Sequence, residues 1–262
     1  MSRVGILLSV VLLSSVAGLA QADETELGVT LDTTYVSKYI WHGFNFYGHD
    51  DSAIQPSVDV DLWGTGFGVI FWSSWATNSG TRNIEEYDYI LYYGNSVFED
   101  TPYATDYTVN WLYFDFYDTP TKGSDLQEFA AQLSWPDLLP AGIVPSYYIG
   151  KLWPAKSGSA ALKHIGGWVH ELGLGYDWAL PGIGPETPEQ VVSLMANVAY
   201  NDGYGATGAD HDWSHATVGA STSFEVAENL NFTPAVYYQI SMDDSVNRDD
   251  ELWTGLSLTY GF

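Results

Sequence analysis

Residues 251–262 read ELWTGLSLTYGF, and apolar side chains return at every second position. Leu252, Leu256, Leu258, Tyr260 and Phe262 fall on one face of a strand. Glu251, Gly255, Ser257, Thr259 and Gly261 fall on the other, with Trp253 as the large exception. That spacing belongs to a β-strand with one apolar face. A water-soluble domain gains little from an aromatic in its last position, because termini fray. What covers the apolar face therefore decides the fold.

The same alternation recurs along the chain. In 229–241, NLNFTPAVYYQIS, the residues Leu230, Phe232, Val236, Tyr238 and Ile240 oppose Asn231, Thr233, Ala235, Tyr237 and Gln239. In 53–63, Ile54, Val58, Val60 and Leu62 oppose Gln55, Ser57, Asp59 and Asp61. In 85–95, Tyr87, Tyr89, Leu91 and Tyr93 oppose Glu86, Asp88 and Gly94. The pattern predicts about 12 strands, near 26–40, 53–63, 66–75, 85–95, 104–115, 125–135, 142–152, 164–178, 189–201, 212–224, 229–241 and 251–262. Tight connections at 63–66, 97–102, 136–140, 181–188 and 227–229 alternate with more polar loops at 41–52, 76–84, 116–124, 153–163, 202–211 and 242–250. Short and long connections in turn, with an even strand number, predict an all-β fold: a transmembrane, antiparallel, up-and-down β-barrel with both termini periplasmic.

A soluble sandwich also alternates, but its apolar faces need a second layer to cover them. A barrel in a bilayer is covered by lipid and satisfies its backbone by closing on itself. The aromatic content, 16%, suits girdles at a membrane–water interface. Two features sit awkwardly. Pro56, Pro145 and Pro234 lie inside predicted strands, where each removes a ladder hydrogen bond and marks a bulge or strand end. His170 falls on the apolar face of 164–178, which suits a girdle and not mid-bilayer depth.

Residues 1–22, MSRVGILLSVVLLSSVAGLAQA, place an apolar run after Arg3 and end in Ala20-Gln21-Ala22. They read as a cleaved secretory signal peptide, leaving 23–262 as the barrel and directing it to the bacterial outer membrane. There is no cysteine, so disulfides and thiolate chemistry are excluded. A net charge of −25 excludes nucleic acid as a partner held by charge.

The opening segment TLDTTYVSKYIWHGFNFYG, followed by AIQPSVDVDLWGTGFGVIFWSSWA, resembles the start of the TorF-type porins of bacterial outer membranes, also called the Gcw family. Members show a strand like YVSxYxWRG and then a Q-P-S-x-D hairpin leading to Gly-aromatic-Trp-Ser. The likeness is strongest over 30–76, and His42 stands where an Arg is common. The resemblance implies an outer-membrane barrel and solute channel, with no substrate named. Phe262, Tyr260 and Leu258 also resemble the signal read by the outer-membrane assembly machinery.

By the alternation, Asp32, Asp59, Asp61, Glu86, Asp88, Asp106, Glu128, Glu171, Asp177 and Glu251 point into the lumen, with Lys38 the clearest inward base and Lys151 ambiguous. Carboxylates in a narrow pore concentrate cations and repel anions; small hydrophilic solutes, passing by passive diffusion, are the expected cargo. Trp72, Tyr92, Tyr237 and Trp253 are expected on the inner wall, as a stacking track or as space-filling plugs. Other chemistry is thinner. The acidic stretch 242–251 and the Asp50–Asp51 pair lack the spacing of a calcium loop. His211 and His215 share a strand face as a lone pair of possible ligands. No G-x-S-x-G element is present, so no nucleophilic enzyme is expected, and no cofactor or metal site is assigned. The alternatives are a closed structural or adhesive barrel binding partners through its loops and, further off, an outer-membrane hydrolase.

Overall fold

The computed structural model describes residues 27–48, 51–77, 85–116, 125–156, 165–181, 189–205, 209 and 211–262. Residues 1–22, expected to be a signal peptide, and the acid Asp50 lie outside the described residues. The strands are β1 (Gly28–Val36), β2 (Ile40–Trp41), β3 (Phe44–Asn45), β4 (Ala53–Asp61), β5 (Phe67–Ala76), β6 (Glu86–Val97), β7 (Thr105–Asp115), β8 (Leu126–Ser134), β9 (Val144–Pro154), β10 (Gly167–Leu180), β11 (Gln190–Asp202), β12 (His211–Thr222), β13 (Phe224–Ala227), β14 (Leu230–Ser241) and β15 (Glu251–Gly261). Each strand from β4 to β12 pairs antiparallel with the next, β12 pairs with β14, β14 with β15, and β15 with β1, which returns to β4. The result is a closed twelve-stranded antiparallel barrel, with β13 continuing β12 along β14. Closure leaves no sheet edge.

The seam sets Thr30 against Gly261 and Val36 against Gly255, and the Phe262 N–H donates to the Val29 carbonyl at 2.9 Å. The start of β1 and the end of β15 therefore share one rim, together with the tight connections. The long connections leave the opposite rim. At the tight connection 62–66, Trp63 and Gly64 both have positive φ, and Thr65 N–H donates to the Leu62 carbonyl at 3.2 Å. Two left-handed residues in a row give the turn whose twist matches a hairpin.

The alternation is realised as two faces. Leu31, Phe71, Leu91, Phe129, Leu172, Val218, Val236 and Leu256 are exposed on the outside. Asp59, Glu86, Asp88, Glu128, Glu171, Asn197, His215 and Trp253 are buried on the inside. The outer belt far exceeds the few hundred Å² of contiguous apolar surface that a water-soluble monomer shows. Aromatics gather at its borders. His170 accordingly sits near the long-loop rim, 2.7 Å from the Tyr147 hydroxyl and beside Tyr200. Lys151 faces outward at the same rim, 5.0 Å from the Trp168 ring centre.

The prolines fall at breaks in the ladder. Pairing of β4 with β5 passes from Ile54↔Trp75 to Ser57↔Trp72, skipping Gln55 and Pro56 with no shift of register, so Pro56 makes neither the bulge nor the strand end expected of it. Pro234 lies where β14 exchanges β12 for β13 as its neighbour, and Pro145 is the second residue of β9. One expected strand is too long. The segment 26–40 ends at Val36, because the chain then turns into the barrel. One expected face is also inverted. The β11–β12 register shifts between Ala199 and Tyr200, leaving Ser214 as an extra residue. A one-residue bulge reverses the parity of all that follows. His215 is buried inside while His211 is exposed and pairs with Asp202, so the two do not form a common ligand face.

Candidate functional site

The stretch 37–48, expected to lie in part within a polar loop, instead folds into the barrel from the long-loop rim. Its residues explain why: Tyr39, Ile40, Trp41, Phe44, Phe46 and Tyr47 are too apolar to stand in water. Strands β2 and β3 form a small hairpin closed by His42 and Gly43, and Phe46 N–H donates to the Tyr39 carbonyl at 2.9 Å. Gly43 has φ +90°, and a Cβ there would stand 2.5 Å from His215 Nδ1. Only glycine allows both the turn and the approach.

Inside, the hairpin meets an aromatic bed. Tyr39 packs on Trp72 with ring centres 5.8 Å apart, and Trp41 packs on Phe114 at 5.4 Å and Tyr204 at 5.3 Å. Tyr204, fully buried, enters from the β11–β12 connection. Polar pins hold the rest. Lys38 Nζ reaches Glu251 at 2.8 Å, and Asn45 Nδ2 donates to the same carboxylate at 3.0 Å. His42 Nδ1 lies 2.6 Å from Glu171 Oε1, Gln239 Nε2 donates to the Gly43 carbonyl at 2.9 Å, and the Tyr47 hydroxyl donates to Ser74 at 2.8 Å.

The candidate pore acids divide into two tiers. Toward the long-loop rim, Glu86, Asp88, Glu128, Glu171 and Glu251 surround the hairpin with Lys38. Glu128 accepts from the hydroxyls of Tyr148 and Tyr204, and Glu171 from Asn197 Nδ2 at 3.2 Å. From mid-height to the tight-turn rim lie Asp32, Asp59, Asp61, Asp106 and Asp177. Asp32 accepts from Thr34 at 2.7 Å and from Thr259 at 2.6 Å, and Asp59 accepts from Tyr92 at 3.0 Å. Asp61 accepts from the Gly64 N–H at 2.6 Å, Asp106 from Ser96 at 2.5 Å, and Asp177 from Ser193 at 2.7 Å.

The four inner aromatics are on the inner wall and split in role. Trp72 and Tyr92 belong to the packed bed. Tyr237 and Trp253 stack at 5.2 Å and line a cleft of about 300 Å³, partly open to solvent, between the hairpin and β11, β12, β14 and β15. His42, Asn197, His215, Thr217 and Gln239 supply its polar wall. Tyr237 lies over Gly219, where a Cβ would stand 2.4 Å from the ring. Among the described residues, no three His, Cys, Asp or Glu side chains converge as a metal site. Acids of the 242–250 loop instead brace turns: Asp250 accepts from Ser241 N–H at 2.9 Å, and Asp243 from Ser245 N–H at 2.8 Å.

Compared with solved structures, the barrel superposes on the KdgM porin in its complex with disordered oligogalacturonate, at a TM-score of 0.54 and 9% identity. That match covers 89% of this chain and 99% of that one. The NanC porin gives 0.51 at 10% identity, over 88% of this chain and 98% of that one. The chain has the fold of an outer-membrane barrel. The β domain of the Bordetella autotransporter BrkA gives 0.50 at 12% identity, over 90% of this chain and all of that domain. No family model matches the chain, and neither does any curated protein. Likeness at such identities concerns the fold, so the function must come from the lumen.

Proposed function

We propose that this protein is an outer-membrane channel for small hydrophilic solutes, its lumen narrowed by its own hairpin and its current carried mainly by cations. The two-faced wall supports this most: an apolar belt outside, a polar and acidic surface inside. Among the described residues, Lys38 is the ammonium that enters the lumen, while Lys151 faces outward and Lys156 and Arg248 stand in loops. Against one lysine stand ten carboxylates, enough to repel anions in a low-dielectric tube. The lumen therefore disfavours polyanions of the kind seen with KdgM. The resemblance of 30–76 to TorF-type porins agrees with this reading, since that stretch forms β1, the hairpin, β4 and β5.

The test is conductance of the purified, refolded chain in a planar bilayer under a salt gradient. Discrete steps with a reversal potential on the cation side are the expected result. Replacing the mid-height and tight-turn-rim acids together, Asp32→Asn, Asp59→Asn and Asp177→Asn, is expected to move that potential toward zero. Anion selectivity in the unaltered protein would refute the charge assignment. The filled lumen favours one second reading, a closed structural or adhesive barrel; silence from a barrel shown to be folded would select it.

The stripe Leu258, Tyr260 and Phe262 is exposed on the outer face, with Phe262 edge-on to Tyr260 at 4.8 Å. We assign it to recognition by the outer-membrane assembly machinery. Phe262 contributes its backbone N–H to the seam, a contact that does not need the ring. Phe262→Ala is therefore expected to leave thermal unfolding of the refolded barrel nearly unchanged while lowering the amount inserted in cells. Equal losses in both assays would mean that the ring is structural.

A further inference from the structure

The buried acids of the upper tier are matched by donors, with two exceptions. Glu251 has Lys38, Asn45 and Asn247; Glu171 has His42 and Asn197; Glu128 has two tyrosine hydroxyls. Glu86 and Asp88, two residues apart on the inner face of β6, are only 2% and 1% exposed. Both oxygens of Asp88 and Oε2 of Glu86 lack a hydrogen-bond partner. Above them the hydroxyl of Tyr39, fully buried, faces both carboxylates and lies nearest Glu86. Trp72 and Phe114 flank Asp88 directly across the two neighbouring strands.

Two neighbouring carboxylates walled in by aromatic rings pay a desolvation cost that their mutual repulsion increases. Something positive must answer it, and the donor set indicates what. Carboxylate and phenol oxygens are hard ligands, suited to a hard cation that fills its remaining positions with water. Soft metals would require the sulfur and imidazole ligands that this place lacks. We propose that Glu86 and Asp88 bind a divalent cation of the calcium or magnesium class, between the barrel wall and Tyr39 of the inward hairpin. Such an ion would clamp the hairpin to β6, on the side of the lumen away from the Lys38–Glu251 pin.

The test uses the full refolded barrel in detergent with terbium as the probe, because Trp72 and Tyr39 stand beside the site and can pass excitation to the bound ion. The expected result is saturable sensitised emission that calcium displaces. It should be lost in the Glu86→Gln/Asp88→Asn double variant and weakened in Trp72→Phe. A control variant, Glu99→Gln/Asp100→Asn, should keep it, since that pair is exposed in the tight connection 97–102. Binding of calcium by Trp72→Phe, followed calorimetrically, should persist. Emission unchanged in the Glu86/Asp88 variant, or no binding to a folded barrel, would overturn the proposal and leave protons as the compensating charge. The readout is binding rather than current, so its failure leaves the channel reading untouched.

Discussion

Replacing residues 39–47 by a short Gly-Ser linker is expected to raise single-channel conductance several-fold. The wall does not need the hairpin: the twelve barrel strands close through backbone ladders that exclude β2 and β3. Twelve strands enclose a slim lumen, so a double-stranded insert occupies a large share of it. The insert is also close to energetic balance. Ordering residues 39–47 costs roughly 9–18 kcal/mol of backbone entropy. Burying the six apolar side chains of that stretch returns about the same, roughly 9–18 kcal/mol. The margin then rests on the few polar pins to Glu251, Glu171, Gln239 and Ser74, each worth on the order of 1 kcal/mol. A segment held by so small a surplus can block the lumen and leave it again. Single-channel recording decides the matter: conductance unchanged on excision would mean that the solute path avoids the hairpin, along the cleft beside Tyr237 and Trp253.

The second large effect concerns the outer face. Val236→Arg is expected to lower the unfolding free energy in lipid vesicles by about 2–4 kcal/mol, the cost of arginine at mid-bilayer depth. Val236 lies near the middle of β14, is exposed, and pairs with Thr254 and Ala220 across its two ladders. Thr233→Arg, three residues away on the inner face, should cost less than about 1 kcal/mol, since a charge there meets water. It should instead weaken cation selectivity. Denaturant titration of the refolded barrels gives both numbers; equal costs would contradict the assignment of faces.

Most of the wall was legible because a period of two carries its own orientation. Alternation placed the strand now running Leu230–Ser241 within a residue of its ends and put Trp253 inside. Of the prolines, read as bulges or strand ends, Pro145 lies at a strand end and Pro234 where its strand changes partner, whereas Pro56 sits in mid-strand in an unshifted register. The hairpin was missed for a different reason. Alternation runs on through Tyr39 without marking where the chain leaves the sheet, and no local rule says which way a loop will fold. The clue was compositional: the run YIWHGFNFY is too aromatic for a solvated loop. The pairing of His211 with His215 failed because one extra residue, Ser214, reverses faces, and nothing in the local sequence announces it. The partners of the acids were hidden by distance along the chain. Lys38 meets Glu251 across a separation of 213 residues, and only the closed barrel brings them together.

That same closure carries a kinetic consequence. Eleven of the twelve wall ladders join strands that follow one another along the wall, so each can zip from its own connection. The ladder between β1 and β15 alone joins the two extremes of the wall, and its loop-closure entropy is the largest in the molecule. Such long-range pairings are the slow ones. The sheet can therefore curl as an open trough before its seam forms, and Lys38–Glu251, which spans that seam, can engage only afterwards. Filling the lumen is then the last act of folding rather than its nucleus.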